Sequence, residues 1–340
     1  MSASAPVLVA DVGGTHVRFA LADPAAAQPL LADSIRRYRV SDFPTCTDAG
    51  LAYLGETGAR ATRGVFALAG PVEGDVVQIT NHPWTIRRAR LRAELALASV
   101  RFVNDFAAIS LGIGLLGRDD VQAIGPAGLP RVGSAPTQAF AVLGPGTGLG
   151  AGAFVLRDGH ALALESEGGH TAFAPRTDEE IAILRQLGAR FGRVSNERLL
   201  SGGGLVNLHQ ALAAIHGRRE EALRPEDITQ AAADGEPACV RTLEVFCELL
   251  GAFAGDCVLA WGGWDGVFLA GGLMAPLLPW LQHGGFRRRF EDKGRMQARL
   301  AEVPSAAIRH PYAGLLGAAA FAVIDSGRSL IRAVDTPERS

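Results

Sequence analysis

Twice in this chain an apolar β-type run stops at a glycine-rich tip and resumes as a second apolar run, and this repetition constrains the fold more than any other feature. Val7 to Ala10 breaks into Asp11-Val12-Gly13-Gly14-Thr15 and continues as Val17 to Ala22. Ala139 to Leu143 breaks into Gly144-Pro145-Gly146-Thr147-Gly148-Leu149-Gly150 and continues as Ala151 to Leu156. Each reads as strand, turn, strand. Aligning Gly14-Thr15 on Gly146-Thr147 gives a separation of 132 positions, close to the span of one lobe. Duplicated halves, each presenting a glycine tip to a shared cleft, are the expectation; coincidence between turns in a chain with 42 glycines stays open. A length of 340 residues exceeds what one ordinary core fills and suits two lobes.

Between the tips, Gly64 to Leu68 reads as a buried strand, Ile86 to Leu97 as a helix, Val100 to Val103 as a strand and Phe106 to Leu116 as a helix. This alternation predicts an α/β chain with mainly parallel sheets. Thr177-Asp178-Glu179-Glu180 predicts a capping box opening a helix to about Phe191. Val267 to Ala270 reads as a buried strand ending at Gly271-Gly272, and the alanine-rich Gly314 to Ile324 as a helix that returns to the first lobe.

Several function classes are excluded. Net charge is −2, with 33 basic residues spread along the chain, so no footprint for nucleic acid or an anionic membrane is present. The short run Arg287-Arg288-Arg289 reads as a solvated helix face. Cys46, Cys239, Cys247 and Cys257 show neither C-x-x-C spacing nor histidine partners, which suggests neither zinc nor disulfides and suits a reducing cytoplasm. The N-terminus lacks a basic n-region, against a signal peptide. Ala260 to Leu281 is interrupted by Asp265, glycines, Pro276 and Pro279, so it reads as a strand followed by a loop rather than a membrane span. Lys293 is the sole lysine, which removes both the Walker A loop and the protein-kinase strand lysine. A nucleotide here would be held by backbone N–H groups, hydroxyls and a metal ion.

The first tip supplies a carboxylate, two glycines and a hydroxyl, the parts that grip polyphosphate while a carboxylate positions hydrated Mg²⁺; an ordinary hairpin turn is the rival. In the second tip Gly146-x-Gly148-x-x-Ala151 fits the dinucleotide fingerprint, but the chain continues as a strand where that motif needs a helix. Asn104-Asp105 follows a strand and precedes a helix, at the sheet end where open α/β sheets bind ligands. Asp105 there could take a proton from a hydroxyl during phosphoryl transfer, although capping would be the stronger reading of an isolated Asn-Asp pair. Glu167-Gly168-Gly169-His170 and Glu197 could hold vicinal hydroxyls; a metal site at His170 is disfavoured for want of partners at ligand spacing. Gly271-Gly272 and Ser201-Gly202-Gly203-Gly204 could let backbone pack on an adenosine, or be plain element ends.

Taken in order, Asp11 to Thr15, Asn81-His82-Pro83-Trp84, Val103-Asn104-Asp105-Phe106, Gly144 to Gly150, Glu167 to His170 with Phe173-Ala174-Pro175, Glu197 to Gly202, Phe268 to Gly272, Phe290 to Gly294 and Gly314 to Gly317 resemble the bacterial glucokinase family of the sugar kinase, actin and Hsp70 superfamily. The resemblance implies a two-lobed α/β fold of the actin-like ATPase, ribonuclease H-like class with a cleft between lobes. The small lobe would comprise residues 1–115 with about 311–330 and the large lobe 116–310, with a peripheral tail at 331–340. It implies ATP-dependent phosphorylation of D-glucose to glucose 6-phosphate, with Mg²⁺, in the cytoplasm, by a protein that is commonly a homodimer. It makes Asp105 the base and Asn104, Asp105, Glu167, His170 and Glu197 the sugar ligands. Ala10, Asp11, Val12, Gly13, Gly14, Thr15, Gly144, Gly146, Thr147, Gly148, Gly271 and Gly272 would face ATP and Mg²⁺, Asp11 through water. Ala10 and His16 stand where relatives have glycine and asparagine, and Gly203 where proline is frequent.

Two rivals remain at this level. A kinase for mannose or an N-acetylhexosamine would use the same hydroxyl grip, though no cysteine-rich motif follows His170. A sugar-sensing regulator would normally precede the first strand with a DNA-binding helical segment.

Overall fold

The computed structural model describes residues 5–79, 82–218 and 222–331, so Asn81 and residues 332–340 of the tail lie outside the described residues. Thirteen described strands, β1 (Val7–Val12), β2 (His16–Ala22), β3 (Leu30–Arg39), β4 (Arg63–Leu68), β5 (Val76–Gln78), β6 (Thr85–Arg87), β7 (Ser99–Asn104), β8 (Val121–Ala123), β9 (Thr137–Pro145), β10 (Leu149–Arg157), β11 (His160–Ser166), β12 (Gly266–Leu269) and β13 (Ser305–Ile308), form two large sheets and a small hairpin. The described helices are α1 (Cys46–Thr57), α2 (Arg88–Glu94), α3 (Asp105–Gly112), α4 (Asp178–Phe191), α5 (Gly202–Ile215), α6 (Pro225–Ala233), α7 (Pro237–Trp261), α8 (Met274–Leu281), α9 (Gly285–Glu291), α10 (Gln297–Glu302) and α11 (Ala313–Asp325).

The duplication expected from the two tips is present in the topology. The first sheet runs β3-β2-β1-β4-β7 and the second β11-β10-β9-β12-β13, extended by an antiparallel β8. In each, a glycine-tipped hairpin is followed by a third antiparallel strand on one side and two parallel strands on the other. The sheets are therefore mixed rather than mainly parallel, because reading alternation alone undercounts strands joined by tight hairpins.

Strand alternation sorts side chains into layers. In β1, Leu8 and Ala10 face a core shared with α1 and α2, while Val7 and Val9 face α3 and α11. In β9, Phe140 and Val142 point to that same central layer, and Ala141 and Leu143 to a third core under α4, α5 and α7. The pair α3 and α11 is thus sandwiched between the sheets.

Three local readings are corrected. Residues 86–97 hold β6 and the short α2 instead of one helix. The segment after β12 is not a loop: α8 occupies Met274–Leu281, with Pro276 in its first turn, where a missing N–H costs little, and Pro279 inside it. The arginine run is solvated only at Arg288, whose side chain is 63% exposed. Arg287 and Arg289 are 5% and 8% exposed; Arg287 donates to Val303 O and Ser305 Oγ, and Arg289 to the buried Glu180 carboxylate at 2.8 Å. That carboxylate also closes the expected capping box of α4, accepting from the Arg176 and Thr177 amides.

Candidate active site

Strands β1, β4 and β7 run parallel and in register, Val12 beside Leu68 beside Asn104, so the first tip, Gly70 and the Asn104-Asp105 pair meet at their carboxyl ends. Asn104 is the N-cap of α3: its Oδ1 accepts from the Phe106 and Ala107 amides at 2.9 and 3.0 Å. Its Nδ2 donates to Gly70 O at 3.1 Å and to Asp105 Oδ1 at 3.2 Å. Asn104 therefore takes the capping role considered for Asp105. Asp105 Oδ1 also accepts from its neighbour's amide, Phe106 N, at 2.8 Å. Burial pushes the Asp105 carboxyl up to about 7, and the negative charge of Asp11 adds to the shift against the opposing hydrogen bonds. A carboxylate in that range is matched to general-base work near neutrality.

Asp11 lies opposite Arg18 across the β1–β2 hairpin and accepts from its Nη1 at 2.9 Å. Burial raises the Asp11 carboxyl above the ordinary range and Arg18 pulls it back. A methyl group on Gly314, in the first turn of α11, would come within 2.7 Å of Asp11 Cγ, so the late helix closes directly on this carboxylate. The tip itself is Gly13, Gly14 and Thr15, closed by Gly13 N to His16 O at 3.0 Å. Ala10 and Val12 have fully buried side chains in the α1 layer and reach the tip only through backbone. His16 opens β2 with its ring against Arg37 Nη2 at 2.9 Å.

The second tip is closed by Gly146 N to Gly148 O at 2.8 Å, and the amide of Gly202, opening α5, reaches Gly146 O at 2.8 Å. Gly271 adopts φ +97°, and a Cβ there would strike Pro145 O at 2.5 Å, so only glycine lets the end of β12 press on this hairpin. By contrast, a methyl on Gly146 or Gly272 would meet nothing within 4 Å. That open space above the tip is of the kind a phosphate chain fills.

At the foot of the same tip, Glu197 Oε2 accepts from Leu149 N at 2.9 Å, and a Cβ on Gly148 would lie 2.6 Å from it. His170 Nδ1 stands 3.9 Å from Glu197 Oε1, and its Nε2 3.7 Å from Glu167 Oε2. Gly169 packs so tightly on Leu149 O that a Cβ would be 2.2 Å away. Three of the five predicted sugar ligands thus form one cluster hung from the first residue of β10. Their side chains are 82%, 57% and 31% exposed for Glu167, His170 and Glu197, which leaves hydrogen-bonding capacity for a ligand. Asn104, in contrast, spends its amide on α3 and Gly70. A groove of about 590 Å³ between residues 166–174 and α7 borrows Glu167 but not Asp105.

Among the described residues no group of three or more His, Cys, Asp or Glu side chains is placed to hold a metal ion directly. Asp11 with Asp105 suits a cation that keeps most of its water and is shared with phosphates, as Mg²⁺ is. Sequence reading gives no direct sign of Arg18, although hairpin register across a two-residue Gly14-Thr15 turn places it opposite Asp11. It also gives Phe106 no role.

The family model described as Glucokinase matches residues 8–324. A glucokinase of Stenotrophomonas maltophilia is 53% identical over 323 residues, spanning 95% of this chain and 96% of the relative. The crystal structure of glucokinase from an Antarctic psychrotroph superposes with a TM-score of 0.83 at 32% identity, covering 93% of this chain and 98% of that one. A ROK family glucokinase from Streptomyces griseus, solved with glucose and AMPPNP, superposes with a TM-score of 0.61 at 18% identity over 93% of this chain and 98% of that one. The fold is the two-lobed actin-like ATPase fold.

Proposed function

The chain belongs to the glucokinase family, and on that premise we propose that it moves the γ-phosphoryl group of ATP onto the 6-hydroxyl of D-glucose, with Asp105 as general base. The observation that carries this reading is the position of Asp105: relieved of capping by Asn104, buried, and near enough to Asp11 to be held around neutrality. Such a carboxylate can orient a hydroxyl and accept its proton as the phosphorus–oxygen bond forms.

Glu167, His170 and Glu197 would bind the remaining hydroxyls through charge-assisted bonds worth about 1.5–3 kcal/mol each. The two glycine tips, with Gly271 and Gly272 behind the second, would hold the nucleotide phosphates by backbone N–H groups, and Thr15 and Thr147 would add hydroxyls. Mg²⁺, when bound, would neutralise charge on the β- and γ-phosphates, with Asp11 reaching it through water. Residues 1–115 with 311–330 form the proposed small lobe and 116–310 the large one.

Among the described residues no helix is long and apolar enough to cross a membrane, and a cytoplasmic setting is part of the proposal. So is a homodimer, supported by the groove beside α7 and by exposed Leu162 and Leu164 on β11, the strand whose Ser166 lines that groove.

The test is a panel of hexoses in an ADP-release assay alongside Asp105→Ala. D-glucose should be preferred, and the variant should retain glucose affinity while kcat falls by about 10²–10⁴. A preference for another hexose would reassign the substrate, and an unchanged rate would remove Asp105 from the chemistry.

A further inference from the structure

Gly144 and Gly150 are direct cross-strand partners in the β9–β10 hairpin, just below the tip. Neither has a positive φ, so backbone conformation does not require glycine at either position. What requires it is space. A Cβ on Gly144 would fall 2.4 Å from Phe106 Cε2, and one on Gly150 would fall 2.2 Å from Cδ2 and 2.6 Å from Cγ. The paired glycines make a bare window in the hairpin, and the Phe106 ring lies across it.

Phe106 belongs to a different half of the molecule. It is the second residue of α3, its amide is held by both Asn104 Oδ1 and Asp105 Oδ1, and its chain neighbour is Asp105. The hairpin it presses on ends in the Gly146–Gly148 tip and anchors Glu197 through Leu149 N. A rigid ring therefore connects the segment that carries the carboxylate to the element that carries both the phosphate cradle and the sugar cluster. Contact of a ring with bare backbone transmits position, because close packing leaves no slack to take up.

We infer that Phe106, seated in the Gly144–Gly150 window, is a positioning residue that fixes the Asp105 carboxylate against the second glycine tip, and so sets turnover rather than sugar affinity. The inference rests on the reading of Asp105 as the base. It assigns a purpose to two glycines that otherwise look like part of a phosphate loop.

The experiment is a double-mutant cycle with Phe106→Leu, Gly150→Ala and the combined variant, measured beside Asp105→Ala. For each, kcat, KM for glucose, calorimetric glucose affinity and melting temperature are recorded. Misplacing a reacting group by about 1 Å can cost up to about 10²-fold in rate. Gly150→Ala should lower kcat by about tenfold or more with glucose affinity within about twofold of wild type, because its methyl drives the ring off the hairpin. The combined variant, in which the shorter leucine yields room for the methyl, should be faster than Gly150→Ala alone. A structural defect would instead lower melting temperature and glucose affinity together, and that result overturns the inference. So would single losses that simply multiply in the combined variant. If Phe106→Leu and Gly150→Ala turn over normally while Asp105→Ala is dead, the window is irrelevant and the base reading survives. If Asp105→Ala itself turns over, the base reading fails and the inference with it.

Discussion

Asp105 is caught between folding and chemistry. An unfolded chain releases its proton near pH 4, whereas burial and the Asp11 charge hold it in the native state until about 7. Below pH 4 both states keep the proton and the residue is neutral in the balance. As pH rises through this interval the unfolded state is favoured progressively, and the full penalty is present above the native value. Asp105→Asn, which keeps the shape and removes the charge, should therefore melt higher than wild type at pH 8. The gap should narrow toward pH 4 in a pH series of thermal melts, and an equal gap at all pH values would contradict the placement of this carboxyl. The same shift governs rate: kcat/KM for glucose should fall as pH drops below about 7, since the base is then protonated. Removing the Asp11 charge with Asp11→Asn should move that acid limb to lower pH, because burial then raises Asp105 without the added repulsion.

At the scale of elements, the crossing of α3 and α11 backs both carboxylates, since α3 begins at Asp105 and Gly314 of α11 packs on Asp11. The two helices approach backbone to backbone: a Cβ on Gly317 would overlap Ala108 O, only 1.8 Å away, and one on Gly112 would lie 3.1 Å from Gly317 N. Helix propensity alone favours Gly317→Ala by about 0.8–1.0 kcal/mol, while overpacking costs about 1–3 kcal/mol. Sterics should win, so Gly317→Ala should lower the denaturation midpoint and also reduce kcat, because α3 begins at Asp105. A stabilised variant would show that the helices are not in contact there. This crossing was invisible in the sequence, where Gly317 stood in a helical alanine-rich run and in one of the segments that resemble the family. The glycine tips, the α4 capping box and the duplicated halves were legible because each depends on residues adjacent in the chain. What escaped was set by partners distant in sequence: the burial of Arg287 and Arg289 against Ser305 and Glu180, and the Phe106 ring on Gly144 and Gly150. The candidate carboxylates and His170 were readable as residue types, but their grouping around Leu149 came only from the β10 register and the α5 approach.

For the whole molecule, the two sheets repeat one strand order around a shared central layer, and each contributes one glycine tip. The proposed base comes from the first half and the sugar cluster from the second, so neither half alone holds glucose and positions its hydroxyl. Glu167 and His170 are largely exposed, which means a sugar bound by them alone would leave its other side open to water. Water is itself an acceptor for the phosphoryl group, and a kinase that stays open hydrolyses ATP; bringing the halves together on the sugar excludes that competitor. The hinge would lie where α3 and α11 pass between the sheets, since these helices pack on both. Small-angle scattering should accordingly show a smaller radius of gyration with saturating glucose than without it, and the forward intensity of the same samples should give the mass of two chains. An unchanged radius would mean that the cleft is already closed or that closure needs the nucleotide, and repeating the measurement with glucose and a non-hydrolysable ATP analogue separates those outcomes. Constancy under both ligands would remove closure from the account of how this protein keeps water from its phosphoryl group.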